Sequence, residues 1–152
     1  MKRIFLVATI LLILPFHIYS DEAKAPASEA RVLGIIDYNG QSQNVITVPH
    51  GVKAGKEFDV KITTQGGGCE REGDTSVVMT ENGASVTLYD FTTATQAATP
   101  CTKILKTFSH TATLKFDQPG EMLLRVWGRA IAADTPPDGQ PVVVEKKIKV
   151  EK

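Results

Sequence analysis

Histidine, cysteine and tryptophan are scarce in this 152-residue chain, at three, two and one residues respectively. Each shortage excludes something. A side-chain nucleophile needs a base within hydrogen-bond reach and a third group to orient that base. Beyond residue 20 only His50 and His110 offer an imidazole. Ser109 directly precedes His110, and neighbours on a strand point to opposite faces, so the two cannot pair. Gly83-Ala84-Ser85-Val86-Thr87 lacks the second glycine of a nucleophile elbow. No catalytic residue is assigned, and His110 is expected at the rim of the fold. Gly66 and Gly68 have the spacing to open a dinucleotide fingerprint, but position 71 is Arg and no helical pattern follows. Asp37-Tyr38-Asn39-Gly40 lacks the third liganding side chain and the closing glutamate of a calcium loop. Two isolated cysteines give no C-x-x-C pair for zinc or redox work. No metal or cofactor is assigned, and the chain has no N-x-S/T sequon.

Net charge is also lacking, with 17 basic residues against 17 acidic ones. Lys2 and Arg3 belong to a segment that reads separately. Ile4 to Phe16 is an apolar run, and the segment closes on Ser20 before the acidic pair Asp21-Glu22. That layout is a secretory signal peptide over residues 1–20, shorter than the ~20 apolar residues of a spanning helix. Residues 21–152 then carry a slight acidic excess, with no electrostatic reason to bind nucleic acid. No stable membrane anchor is expected after cleavage, and the location is periplasmic or secreted. Cys69 and Cys101 both lie in the exported part, where an oxidising compartment makes a disulfide the expected state.

What is present is alternation. Residues 21–30, DEAKAPASEA, hold no large apolar side chain and read as a flexible leader; residues 31–152 read as one domain. Val32 to Tyr38 and Asn44 to Val48 flank Asn39-Gly40, a hairpin signal. Glu57 to Thr64 alternates cleanly, with Phe58, Val60 and Ile62 on one face. Thr75 to Thr80 and Ala84 to Asp90 flank Glu81-Asn82-Gly83, a second hairpin signal. Cys101 to Phe108 permits either a helical turn or a short strand. His110 to Arg129 reads as an antiparallel hairpin: His110, Ala112, Leu114 and Phe116 share a face, as do Met122, Leu124 and Val126, around Asp-Gln-Pro-Gly. Val142 to Val150 closes the chain, with Lys146 intruding on its apolar side as an edge guard. Seven or eight short strands predict an antiparallel two-sheet β-sandwich.

The segment LKFDQPGEMLLRV resembles the late strand–turn–strand of immunoglobulin-like and fibronectin type III-like domains, with Val142–Val150 placed as their last strand. The resemblance implies an immunoglobulin-like architecture and no particular function. Two departures stand out: Met122 occupies the place of a corner tyrosine, and both cysteines precede the proposed hairpin, so the bridge is expected to tie loops at one end. Two surfaces are candidates for partner contact. Arg125, Trp127 and Arg129 share a strand face, and Trp and Arg are enriched among interface anchors. Arg71, Tyr89 and Asp90 form a second group near the cysteines. The expected function is a non-catalytic binding or structural role at the cell envelope, toward an unknown protein or envelope component. One alternative is a protease inhibitor similar in shape to the chagasin-like family, whose Asn-Pro-Thr-Thr-Gly-Tyr loop is absent here. The other is a cupredoxin-like copper protein using His50, Cys101, His110 and Met122, against which the long ligand spacing argues.

Overall fold

A computed structural model describes residues 29–38, 45–93, 101–132 and 139–152. The expected signal peptide, all of the leader before Glu29, the Asn39-Gly40 turn and most of the Pro136-Pro137-Asp138-Gly139 loop fall outside the described residues. Among those described there is no helix and there are ten strands. They are β1 (Ala30–Leu33), β2 (Ile35–Tyr38), β3 (Ile46–Thr47), β4 (Val52–Lys53) and β5 (Glu57–Gly66). β6 (Glu70–Thr80), β7 (Gly83–Thr92), β8 (Lys106–Lys115), β9 (Gly120–Ile131) and β10 (Gln140–Glu151) complete the set. The chain is all-β, and the strand count exceeds the seven or eight expected. β3 falls within the expected Asn44–Val48 run, whereas β4 is an additional two-residue pairing too short to leave a periodic trace.

The parity of β5, β8 and β9 follows from their sequence, whereas β6 buries no residue. Val60, Ile62 and Thr64 of β5, Ala112 and Leu114 of β8, and Leu124 and Val126 of β9 are buried, and the residues between them face outward. Side chains that alternate in this way put one apolar row per strand into a single core, each fully buried Val, Leu or Ile contributing about 1.5–3 kcal/mol.

Pairing departs from expectation. The sheet is mixed and forms one connected network, with β7–β9, β2–β9 and β4–β10 parallel. β8 and β9 are consecutive and bury matching faces, yet they do not pair. β8 pairs along its whole length with β5, and β9 with β10 and β7. The Asp117–Pro119 connection is therefore an arch that crosses the core. A hairpin and an arch show the same alternation, so periodicity could not separate them. The Asn44–Val48 run likewise does not return beside its expected partner: β3 pairs with β5, while β2 pairs with β9 and touches β5 at Ile35 and Gln65. Residues 101–105 take no regular structure, and β8 begins at Lys106. The β6–β7 hairpin is as expected, with Thr80 opposite Gly83.

Gly34 lets the N-terminal strand change neighbours. Before it, β1 runs antiparallel to β7; after it, β2 runs parallel to β9. Its N–H donates to the Leu88 carbonyl at 3.0 Å, and its own carbonyl accepts from Arg129 at 2.9 Å. A Cβ at this position would stand 2.7 Å from Thr64 Cγ2 and 2.9 Å from Asp90 Oδ2, so only glycine passes. β10 is held differently from a free edge. Lys146 donates from Nζ to the Ile46 carbonyl at 2.8 Å, so the charge expected to repel neighbours instead ties β10 to β3.

Candidate contact surface

The surface begins with the outward parity of β9. Arg125 and Trp127 both face solvent, as their alternation predicts. The register sets Val143 of β10, Trp127 of β9 and Thr87 of β7 side by side, with Ser76 of β6 beyond. The adjacent row is Glu145, Arg125, Ser85 and Val78. Trp127 remains 40% exposed and Val143 42% exposed. The indole Nε1–H donates to Ser85 Oγ at 2.9 Å, which fixes the ring across β7 with its apolar face toward solvent. Arg125 is engaged by Glu145 at 2.9 Å rather than stacked on the indole.

Arg129 does not belong to this patch. Its side chain is only 11% exposed and pairs with Glu70 Oε1 at 2.6 Å, toward the disulfide end. Val143 takes its place beside Trp127. The alternation of β10 could have shown that Val143 faces outward, but only the β9–β10 register places it next to the indole.

The second group divides. Arg71 and Tyr89 lie on an exposed ladder that fastens β1 to β6 and β7. Arg71 pairs with Glu29 and stacks over Phe91 at 4.3 Å; Arg31 pairs with Asp74 at 2.8 Å and stacks over Tyr89 at 3.4 Å. The Arg71 hydrogen bonds hold the Glu29 carboxyl below the usual carboxylate range, and Glu29 in turn raises Arg71. Arg31 does the same to Asp74 by hydrogen bonding. Elsewhere on the surface, Glu121 raises the Lys147 ammonium through its hydrogen bond. Asp90, by contrast, points into the core and offers nothing to a partner.

Asp90, Thr64 and His110 form a buried trio from β7, β5 and β8. Thr64 Oγ1 donates to Asp90 Oδ2 at 3.0 Å, and both Thr64 Oγ1 and Asp90 Oδ1 approach His110 Nε2, at 2.9 and 3.0 Å. Of these two approaches only the Thr64 contact is a hydrogen bond; Asp90 Oδ1 and His110 Nδ1 are buried without one among the described residues. His110 is therefore a core residue, not the rim residue its position suggested, because it stands on the buried parity of β8 with Ala112 and Leu114 and meets Thr64 and Asp90 there. The set has the residue types of a nucleophile, base and orienting acid, but Thr64 is fully buried and no substrate atom can reach it. It ties three strands together.

The disulfide Cys69–Cys101 is formed, with Cα atoms 5.2 Å apart, and ties the β5–β6 connection to the segment before β8 at one end. Such a bridge suggests an oxidising, extracytoplasmic environment. It also consumes the thiol a copper centre would need. His50 sits in an exposed loop and His110 is enclosed by the trio, so the four residues considered for copper are not brought together. Among the described residues no group of three or more His, Cys, Asp or Glu could hold a metal ion. No helix among them is long and apolar enough to cross a membrane. In comparison with known proteins, no family model matches this chain, and no curated protein or solved structure matches it either.

Proposed function

We propose that this chain is an exported, periplasmic or secreted β-sandwich of immunoglobulin-like type that serves without catalysis as a binding module at the cell envelope. The two-layer reading rests on the pairing. β3, β5 and β8 form one group of partners, while β1, β2, β4, β6, β7, β9 and β10 form another; the single rung between Ile35 of β2 and Gln65 of β5 connects the groups. Two pleated layers around one core satisfy that pattern.

The observation that carries the binding role is Trp127. Exposing an indole beside Val143 costs solvation that a monomer has no reason to accept, and aromatic anchors of this kind are enriched at interface centres. The paired charges Arg125–Glu145 and Lys147–Glu121 surround it as a polar rim. The partner is a protein or other envelope component with a complementary apolar recess. Capture from an envelope extract tests the role: wild type retains a partner that Trp127→Ala releases, and an identical set of captured proteins from both would refute it. N-terminal sequencing of the processed protein tests export separately and is expected to read from Asp21.

A further inference from the structure

β6 carries an exposed edge with an unusual composition. Ser76, Val77, Val78, Met79 and Thr80 are all exposed, with Val77, Val78 and Met79 at 37, 58 and 44%, and the stretch has neither charge nor proline. Higher up, the edge is occupied. Ser109 N–H donates to Glu72 Oε2 at 3.3 Å and the Thr75 hydroxyl to the Thr111 carbonyl at 3.4 Å, which draws β8 alongside. Below Thr75 the ladder partner of β6 among the described residues is β7 alone.

The direction of the backbone groups follows from the hairpin. Thr80 and Gly83 close a two-residue turn and so exchange both hydrogen bonds, after which bonded and non-bonded pairs alternate. The N–H and C=O of Val77 and Met79 consequently point away from β7, toward the open side. A strand arriving there finds two donors and two acceptors in line.

We propose that the occupant is β6 of a second copy, paired antiparallel about a two-fold axis through Val78. The stretch is self-complementary in that register. Val78 faces Val78, Val77 faces Met79, and Ser76 faces Thr80, so apolar meets apolar and hydroxyl meets hydroxyl, with no like charges opposed. The Val77 and Met79 backbone groups supply four hydrogen bonds across the axis, and the closed two-fold contact leaves no further β6 edge to recruit a third copy. The axis stands perpendicular to the sheet, so the outer faces of both copies lie on one side. The two Trp127 patches then sit roughly 25–30 Å apart, five interstrand spacings across and about four residues along. A bivalent surface of this kind binds a repeated envelope component with an avidity neither copy has alone.

Sedimentation equilibrium of the purified protein, with site-specific cross-linking, tests the pairing. Wild type is expected to show a monomer–dimer equilibrium. Val78→Lys, which opposes two ammonium groups at an exposed site, weakens association by about tenfold or more with an unchanged circular dichroism spectrum. Trp127→Ala leaves association unchanged, which separates this pairing from the proposed partner site. Under oxidation Val78→Cys gives a covalent dimer, while Ser76→Cys does not, because its counterpart lies four residues away in this register. A wild-type mass that remains monomeric at every concentration, or equal cross-linking at both positions, would overturn the proposal.

Discussion

A carboxylate enclosed in a protein core depends on its neighbours to replace the water it has lost; Asp90 Oδ2 accepts from Thr64, while Oδ1 has only the His110 imidazole beside it among the described residues, at 3.0 Å. Removing Asp90 leaves Thr64 and His110 buried with only each other as partners in the trio. Asp90→Ala is therefore expected to destabilise the fold by about 1–3 kcal/mol, read as a lower urea midpoint. A change below about 1 kcal/mol would mean that the trio is not a connected network. Gly34 lies against two of these side chains, Thr64 and Asp90. Gly34→Val drives a branched side chain into Thr64 and Asp90, and the expected cost is at least about 1–3 kcal/mol. Neither residue advertised this role in the sequence. His110 and Asp90 are twenty positions apart on strands that do not pair, and nothing local indicates that they meet.

At the scale of the element, β1 is held by side chains as well as by its four-residue ladder. Glu29–Arg71 and Arg31–Asp74 clamp it across β6 and β7. Both carboxyls titrate below their ordinary range in the folded state. The stabilisation they provide is complete above the ordinary carboxylate pKa and is lost as pH falls through the depressed folded value. Amide hydrogen exchange at Arg31 to Leu33, corrected for the intrinsic rate, is expected to accelerate on acidification into that range while the β5 amides stay protected. Equal acceleration in both strands would mean that the clamp is not local. The alternation in β5, β8, β9 and β10 was legible because a half-buried strand writes its parity directly into the sequence. The partner of each strand was not. Val126 alternates identically whether β9 pairs with β8, β7 or β10, and the Asp117–Pro119 arch looks like a turn in one dimension. For the same reason Trp127 was legible as an outward residue, whereas its neighbour Val143 and the withdrawal of Arg129 toward Glu70 required the register.

For the whole molecule, the bridge between Cys69 and Cys101 closes a loop with sequence separation 32 and is expected to contribute about 3–4 kcal/mol by restricting the unfolded chain. Thiol titration under denaturing conditions should find no free thiol, and reduction should lower the denaturation midpoint; an unchanged midpoint would show that the bridge contributes no stability. The imidazole–carboxylate–hydroxyl set is enclosed, the cysteines are joined, and an indole is left on the surface. That distribution is why recognition, not reaction, is the function proposed. Because the chain has a single tryptophan, its fluorescence reports on the proposed contact site alone. The most direct measurement is the emission of Trp127, taken as the difference from a Trp127→Phe blank, as a fractionated envelope extract is titrated into the purified protein. A saturable shift to shorter wavelength, absent with a cytosolic extract, is the predicted result. Emission that stays at its free-state wavelength while a partner is demonstrably bound would place the contact elsewhere and contradict it.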